Sequence, residues 1–233
     1  MQVRVPTERL PPGVTFMAPT LPVYVFDADE PGPTVLIQAG IHGDEVCGVH
    51  ALEELLEEGL RPAVGRLILI PRMNPAAYRA RQRRAPGGLD LNRSFPGAAQ
   101  DEAVELRLAN AFFQLVHLER PALVATLHES MKRYYPDVHP SFGQTLVYGV
   151  DPCPPVLEQV VNDLNGAMRS EEEHWATHYY PVPTSSTEQI VDAIGCIGVC
   201  VETWMGFDEE RRVEMQREVV LRLLDAFGVV PLA

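Results

Sequence analysis

The sequence predicts a three-layer α/β domain, with a central, mostly parallel or mixed sheet flanked by helices on both faces. Three observations carry this. Short apolar runs of strand length alternate along the chain with longer segments whose apolar residues recur at helical spacing. Several of those runs end in a histidine or a glutamate, the mark of a sheet that carries its chemistry at the carboxyl ends of its strands. Hydrophobic residues make up 46% of the 233-residue chain, enough for one large core.

Taken in order, the Pro-rich start, residues 1–21 with Pro6 to Pro22, is expected to be extended or irregular. Strands are expected near 22–27, 34–39, 65–70, 121–127, 144–150 and 197–202, and helices near 44–58, 100–117, 154–169 and 208–227. Thr34 to Ala39 reads as a buried strand, and Val46, Val49, Leu52, Leu55 and Leu56 form the apolar stripe of the helix that follows. In the last helix Asp208 can cap the start, Gly228 can end it, and Val213, Val220, Leu223, Leu224 and Phe227 face the core. No repeat or low-complexity tract divides the chain, so residues 1–233 are expected to form one hydrolase-sized domain.

Composition excludes several classes. The formal charge, 19 − 32 = −13, argues against a nucleic-acid partner. No apolar run is long enough to span a membrane, and Met1 to Pro6 lacks the apolar region of a signal peptide. Cys47, Cys153, Cys196 and Cys200 form no Cys-x-x-Cys pair and sit in apolar surroundings, as buried thiols of a reducing cytoplasm do. The expectation is a cytoplasmic protein, compatible with a homo-oligomer. Arginines clustered within an acidic chain suggest a specific anion pocket.

The most informative stretch is Gly40-Ile41-His42-Gly43-Asp44-Glu45, between the strand at 34–39 and its helix. Imidazole nitrogen and carboxylate oxygen are ordinary zinc ligands, and the short loop lets both side chains turn to one point. An acidic residue there is also favourable to a helix N-terminus without any metal. A third ligand is offered by His128, at the end of the apolar run Ala122 to Leu127. Two histidines, a glutamate and a water make a catalytic zinc shell, because the fourth position stays open. His174 and His178 have the i, i+4 spacing of metal ligands on a helix, but Glu171-Glu172-Glu173 marks a wet face, and no metal is assigned there.

His42-Gly43-Asp44-Glu45, then Asp90-Leu91-Asn92-Arg93-Ser94-Phe95-Pro96-Gly97, then His128, then Val201-Glu202, in that order, resembles the zinc carboxypeptidase superfamily, and within it the succinylglutamate desuccinylase/aspartoacylase family. The resemblance runs from about residue 34 to residue 204. It implies a zinc-carboxypeptidase-like fold and one Zn²⁺ per chain on His42, Glu45 and His128. Asn92 and Arg93 would hold a substrate carboxylate, the planar Arg fork suiting that group. Asp90 would orient His42 from behind, and Glu202 would serve as general base and acid. An arginine ahead of the Asn-Arg pair would assist the scissile carbonyl; Arg84 is assigned, with Arg81 and Arg83 as alternatives. Tyr180, 22 residues before Glu202, would assist substrate binding, with Tyr179 and Tyr135 competing.

The expected function is therefore a zinc metallohydrolase that cleaves an amide bond adjacent to a substrate carboxylate, of the N-acyl amino acid deacylase type. Its partner would be a small acylamino acid or a short peptide with a free carboxylate. A metallocarboxypeptidase acting on peptides or murein peptides is the alternative, since only about 30 residues follow Glu202 and the pocket would be open. A zinc- or ligand-binding protein without catalysis is a third reading. A serine hydrolase is disfavoured by the lack of a Gly-x-Ser-x-Gly elbow.

Overall fold

The computed structural model of the protein describes residues 1–231. Among these, eight strands form one mixed sheet: β1 (Gly13–Ala18), β2 (Leu21–Asp27), β3 (Glu30–Ala39), β4 (Val64–Ile70), β5 (Leu123–Ser130), β6 (Thr145–Tyr148), β7 (Ala176–Tyr179) and β8 (Ile197–Trp204). Their spatial order is β1-β2-β4-β3-β5-β8-β6-β7. The centre, β4-β3-β5-β8, is parallel throughout, and β2 and β6 join it antiparallel on either side.

The helices are α1 (Cys47–Glu57), α2 (Pro75–Ala80), α3 (Val104–Glu119), α4 (Pro155–Ala167), α5 (Ser186–Ile194) and α6 (Glu209–Ala226). Strand alternation sorts them into two layers. Val35, Ile37 and Ala39 of β3 pack with Val49 and Leu52 of α1, Leu157 and Leu164 of α4, and Val219 and Leu223 of α6. Leu36 of the same strand packs on the opposite face with Leu108 and Phe112 of α3 and Ile190 of α5. The central strands are covered on both faces, which is why they read as continuous apolar runs. No helix among the described residues is long and apolar enough to cross a membrane.

The start of the chain differs from expectation. Residues 13–18 form β1, antiparallel to β2, where an irregular segment was expected. The prolines lie outside this strand, and as an edge strand it leaves Val14 and Phe16 exposed, so it carries little apolar signal. Two other short elements, α2 and α5, were also unexpected. So was β7, which puts His178 on a strand, with His174 in the segment ahead of it rather than one helical turn away.

The expected helix at 44–58 begins only at Cys47, which frees residues 40–46 to form the loop at the end of β3. Gly43 is required there: a Cβ would overlap the Ala77 carbonyl of α2, and its N–H donates to Gln82 O at 3.0 Å. Val46 gives α1 no side-chain cap. The free Cys47 N–H donates instead to Glu129 Oε2, 3.0 Å away on β5, while Glu129 Oε1 pairs with Arg212 of α6. One buried carboxylate thereby ties both helices to the strand that carries His128.

Candidate active site at the carboxyl edge of the sheet

Three of the central strands deliver side chains to one place. The loop after β3 supplies His42 and Glu45, β5 supplies His128, and β8 supplies Glu202, which lies directly beside His128 in the parallel ladder. His42 Nδ1 lies 2.7 Å from Glu45 Oε1, and His128 Nδ1 lies 2.6 Å from Glu45 Oε2. All three residues are buried, and their candidate ligand atoms lie within 4.8 Å of one another. The strand end is held from behind: Gln216 Nε2 of α6 donates to His128 O at 2.8 Å and to Thr203 Oγ1 at 3.0 Å.

The electrostatics of the three fit a cation. Burial disfavours charge on every member, yet His42 is raised to about 9, because Glu45 and Asp90 outweigh that burial. Glu45 is held well below the carboxylate range by the two imidazoles, again against burial. His128 is lowered, burial outweighing the pull of Glu45. A proton on His42 thus balances the Glu45 charge, in the place where a divalent ion can do so. Two imidazole nitrogens and a carboxylate are the donor set that suits zinc with an open position.

Asp90 stands behind this group. Its Oδ1 accepts from Asn92 N at 3.0 Å, which starts the 3₁₀ turn Leu91–Arg93, and lies 3.4 Å from His42 Nε2, at the long edge of hydrogen-bond range. Its Oδ2 accepts from Arg83 Nε at 3.0 Å. Arg83 is also 3.4 Å from His42 Nδ1 through NH1 and 3.7 Å from Glu45 Oε1. Both Arg83 and Arg84 are exposed, and of Arg81, Arg83 and Arg84 it is Arg83 that lines the cleft. Asp90 pairs with the Arg83 guanidinium at the cleft, at 3.0 Å through both Nε and NH2.

The centre opens into a cleft of about 670 Å³, lined among others by Asn92, Arg93, Tyr180 and Glu202. Asn92 is buried, and its Oδ1 accepts from Ser186 N at 3.0 Å and Ser186 Oγ at 3.3 Å. Arg93 is exposed, with NH1 on Asn92 O at 2.8 Å, leaving the remaining guanidinium donors to the cleft. Tyr180 stacks on His178 at 5.8 Å and meets Phe142 edge-on at 5.0 Å, as part of an aromatic wall on one side of the cleft. Tyr179 and Tyr135 are exposed and do not line it.

Glu202 accepts from the Cys200 thiol at 3.5 Å, and burial and the charge of Glu45 push its carboxyl up to about 8. Cys200, His128 and Glu202 also lie close enough to share an ion. Burial and the neighbouring carboxylates keep the Cys200 thiol protonated, so it acts as a donor to Glu202 rather than as a thiolate ligand. Glu129, Gln216 and Cys200 were not singled out from the sequence. Their spacing carries no motif, and only their placement against His128 and Glu202 gives them a part.

The fold is of the zinc-carboxypeptidase-like α/β kind, with a cluster of candidate ligands at the carboxyl edge of its sheet. Residues 31–135 match the succinylglutamate desuccinylase/aspartoacylase catalytic domain. The chain is similar to the N-alpha-acetyl-L-2,4-diaminobutyric acid deacetylase of Halomonas elongata, 40% identical over 110 residues, which are 46% of this chain and 31% of that protein. Among solved structures it is similar to the cell shape determinant protein Csd4 of Helicobacter pylori, with a TM-score of 0.79 at 16% identity, covering 90% of this chain and 55% of that one. An aspartoacylase family protein of Mesorhizobium loti gives a TM-score of 0.70 at 23% identity, covering 96% of this chain and 69% of that one. The family match is confined to residues 31–135, and the chain spans about a third of the deacetylase and just over half of Csd4.

Proposed function

We propose that the protein is a zinc-dependent hydrolase of the N-acyl amino acid deacylase type, cleaving an amide bond next to a substrate carboxylate. The observation that carries this is the meeting of two Nδ1 atoms on one carboxylate, at 2.7 and 2.6 Å, with Glu202 beside them and Arg93 in the same cleft. His42, Glu45 and His128 would hold the ion. When bound there, zinc supplies a Lewis acid for the scissile carbonyl and makes water a nucleophile near neutral pH.

The chain's own residues supply the rest. Arg93 pairs with the substrate carboxylate, and the Asn92–Ser186 contact fixes the backbone that presents it. Glu202 takes a proton from the attacking water and returns it to the leaving nitrogen. Its environment supports this, because a buried carboxyl pushed up to about 8 exchanges protons near neutral pH. Arg83 places positive charge beside the reacting carbonyl, and Asp90 orients both Arg83 and His42. Tyr180 forms part of the wall against which the substrate packs.

The test is a zinc-loaded screen of N-acyl amino acids, each with a free and an amidated carboxylate. Free acids should be cleaved and amides much more slowly. Arg93→Ala should cost about 2 kcal/mol of transition-state stabilisation on the free acids, the scale of a charge-assisted hydrogen bond, and little on the amides. Equal wild-type rates on both forms would reject the carboxylate pocket. A second reading, hydrolysis of short peptides, is favoured by the cleft volume of about 670 Å³, which exceeds what a small acylamino acid fills. A tripeptide-bound Csd4 shares the fold at a TM-score of 0.78 and 16% identity. Peptides with a free C-terminus belong in the same screen.

A further inference from the structure

The central strands carry two polar side chains among apolar neighbours. Gln38 of β3 and Thr126 of β5 are fully buried and stand side by side in the parallel ladder. They lie on the same sheet face as Leu36 and Val124, which pack against α3 and α5. Gln38 Nε2 donates to Thr126 Oγ1 at 3.1 Å, while Gln38 Oε1 has no partner among the described residues. An unmatched buried acceptor costs stability, and two apolar side chains of the same shape would avoid that cost. Core packing therefore gives no reason for this pair.

The hydrogen bonds that start at Gln38 end in the cleft. Thr126 Oγ1 lies 3.5 Å from the Oγ of Ser186, the fully buried first residue of α5. Ser186 gives Asn92 Oδ1 two bonds, from its N–H at 3.0 Å and from its hydroxyl at 3.3 Å. The direction of the protons follows. A backbone N–H can only donate, so the arm of the Asn92 amide that meets Ser186 is its oxygen. For the Ser186 hydroxyl to donate there as well, it must accept from Thr126. Thr126 accepts from the Gln38 amide, which leaves its own proton for Ser186. The bonds thus all run one way, from Gln38 to Thr126 to Ser186 to Asn92. With Oδ1 taken by Ser186, the Nδ2 of Asn92 is left for the cleft that Asn92 lines. The two arms of an asparagine amide are alike in shape, so it is the hydrogen bonding that chooses between them.

We propose that Gln38, Thr126 and Ser186 are positioning residues: their relay turns the Asn92 amide nitrogen into the cleft as a donor beside Arg93, and so makes this clamp select a carboxylate over a carboxamide. A carboxylate accepts at both oxygens, whereas the NH2 of a carboxamide sets donor against donor at one of the two positions. Arg93 shares the effect, since its NH1 donates to Asn92 O at 2.8 Å. The selectivity rests on the deacylase reading for the substrate carboxylate; the relay and the orientation of Asn92 do not.

The first measurement needs no substrate. In isotopically labelled, zinc-loaded protein, the Asn92 Nδ2 amide signals are assigned by their loss in Asn92→Ala. They should shift in Thr126→Val and stay in place in Thr126→Ser, which keeps the hydroxyl. Thr126 bonds to Gln38 and Ser186 and not to Asn92, so such a shift travels through Ser186. Unmoved signals in Thr126→Val overturn the relay. The second measurement is steady-state hydrolysis of N-acyl amino acids and their carboxamides. Thr126→Val should raise KM for the free acids about fivefold, the scale of one hydrogen bond, with kcat, zinc content and the slow rates on carboxamides unchanged. Thr126→Ser should return KM to within about twofold of wild type. The double variant Gln38→Met/Thr126→Val should share the raised KM yet melt no lower than wild type, because the unmatched acceptor leaves together with its neighbour. A lower melting temperature with equal losses on acids and carboxamides would make the pair merely structural and overturn the positioning role. The wild type cleaving both forms alike, or neither, while the signals still shift, leaves the relay standing and removes the carboxylate reading. A wild-type preference for acids that Thr126→Val does not change does the reverse.

Discussion

Asp90→Asn is the substitution from which the arrangement of the centre predicts the most. The carboxylate makes three contacts: 3.0 Å to Asn92 N, 3.4 Å to His42 Nε2 and 3.0 Å to Arg83 Nε. Asparagine keeps one acceptor and remains a good cap for the 3₁₀ turn, so the cap changes by only a few tenths of a kcal/mol. The Arg83 side chain is 46% exposed, so its lost ion pair contributes at most about 1 kcal/mol. Above pH 9, where the proton on His42 no longer adds a third contribution, metal-free stability should therefore fall by no more than about 1.5 kcal/mol in urea unfolding, the sum of these two terms. Zinc binding should suffer far more, because the group that polarises a ligating histidine has lost its charge. Loss of such a partner weakens affinity by about 10- to 100-fold, or about 1.4–2.7 kcal/mol. The assay is competition with a chromophoric chelator, read at pH 7 and again above pH 9. At pH 7 a proton on His42, raised to about 9 in part by Asp90, competes with the metal; above pH 9 that competition disappears. A zinc affinity within twofold of wild type at the higher pH would refute the role given to Asp90.

Three further outcomes follow from the same geometry. Arg83→Ala should lower kcat/KM by about tenfold or more, the scale of one lost charge-assisted contact, while Arg84→Ala stays near wild type; the reverse order in steady-state kinetics would return the role to Arg84. Glu129→Gln leaves Arg212 without its buried partner and should cost about 3 kcal/mol of stability in chemical denaturation, and a loss below 1 kcal/mol would show that the pair does not tie α1 and α6 to β5. Glu173 is held low mainly by its hydrogen bonds to Arg211, and a group with a depressed folded value contributes stability above its unfolded value near 4.5 that is lost as pH falls through the folded one. Glu173→Gln should therefore flatten the acid limb of the stability curve below about pH 4.5, and an unchanged limb would assign that slope to other carboxylates.

The parts of the site that the sequence made legible are those set by local pattern. His42, Glu45, His128 and Glu202 each follow an apolar run, so their strand-end position is a consequence of where burial stops. Asp90, Asn92 and Arg93 lie within one turn whose cap is itself local. What stayed illegible depends on contacts between distant segments. Which arginine of 79–84 lines the cleft is not decided by spacing, and the sequence alone favoured Arg84. Glu129 sits beside His128 but faces α1 and α6, and nothing nearby in the chain announces partners 82 and 83 residues away. The strand β1 was hidden because its outer residues are exposed and prolines precede it, while its ladder to β2 is a backbone property.

The central claim is that one zinc ion on His42, Glu45 and His128 works together with the Glu202 carboxylate. The most direct measurement pairs elemental analysis with turnover of an N-acyl amino acid, in wild type, Glu202→Gln and His128→Ala. The account predicts one zinc per chain in wild type and in Glu202→Gln, turnover in wild type only, and loss of zinc in His128→Ala. Full turnover by a folded Glu202→Gln protein, or zinc retained at full affinity without His128, would contradict it.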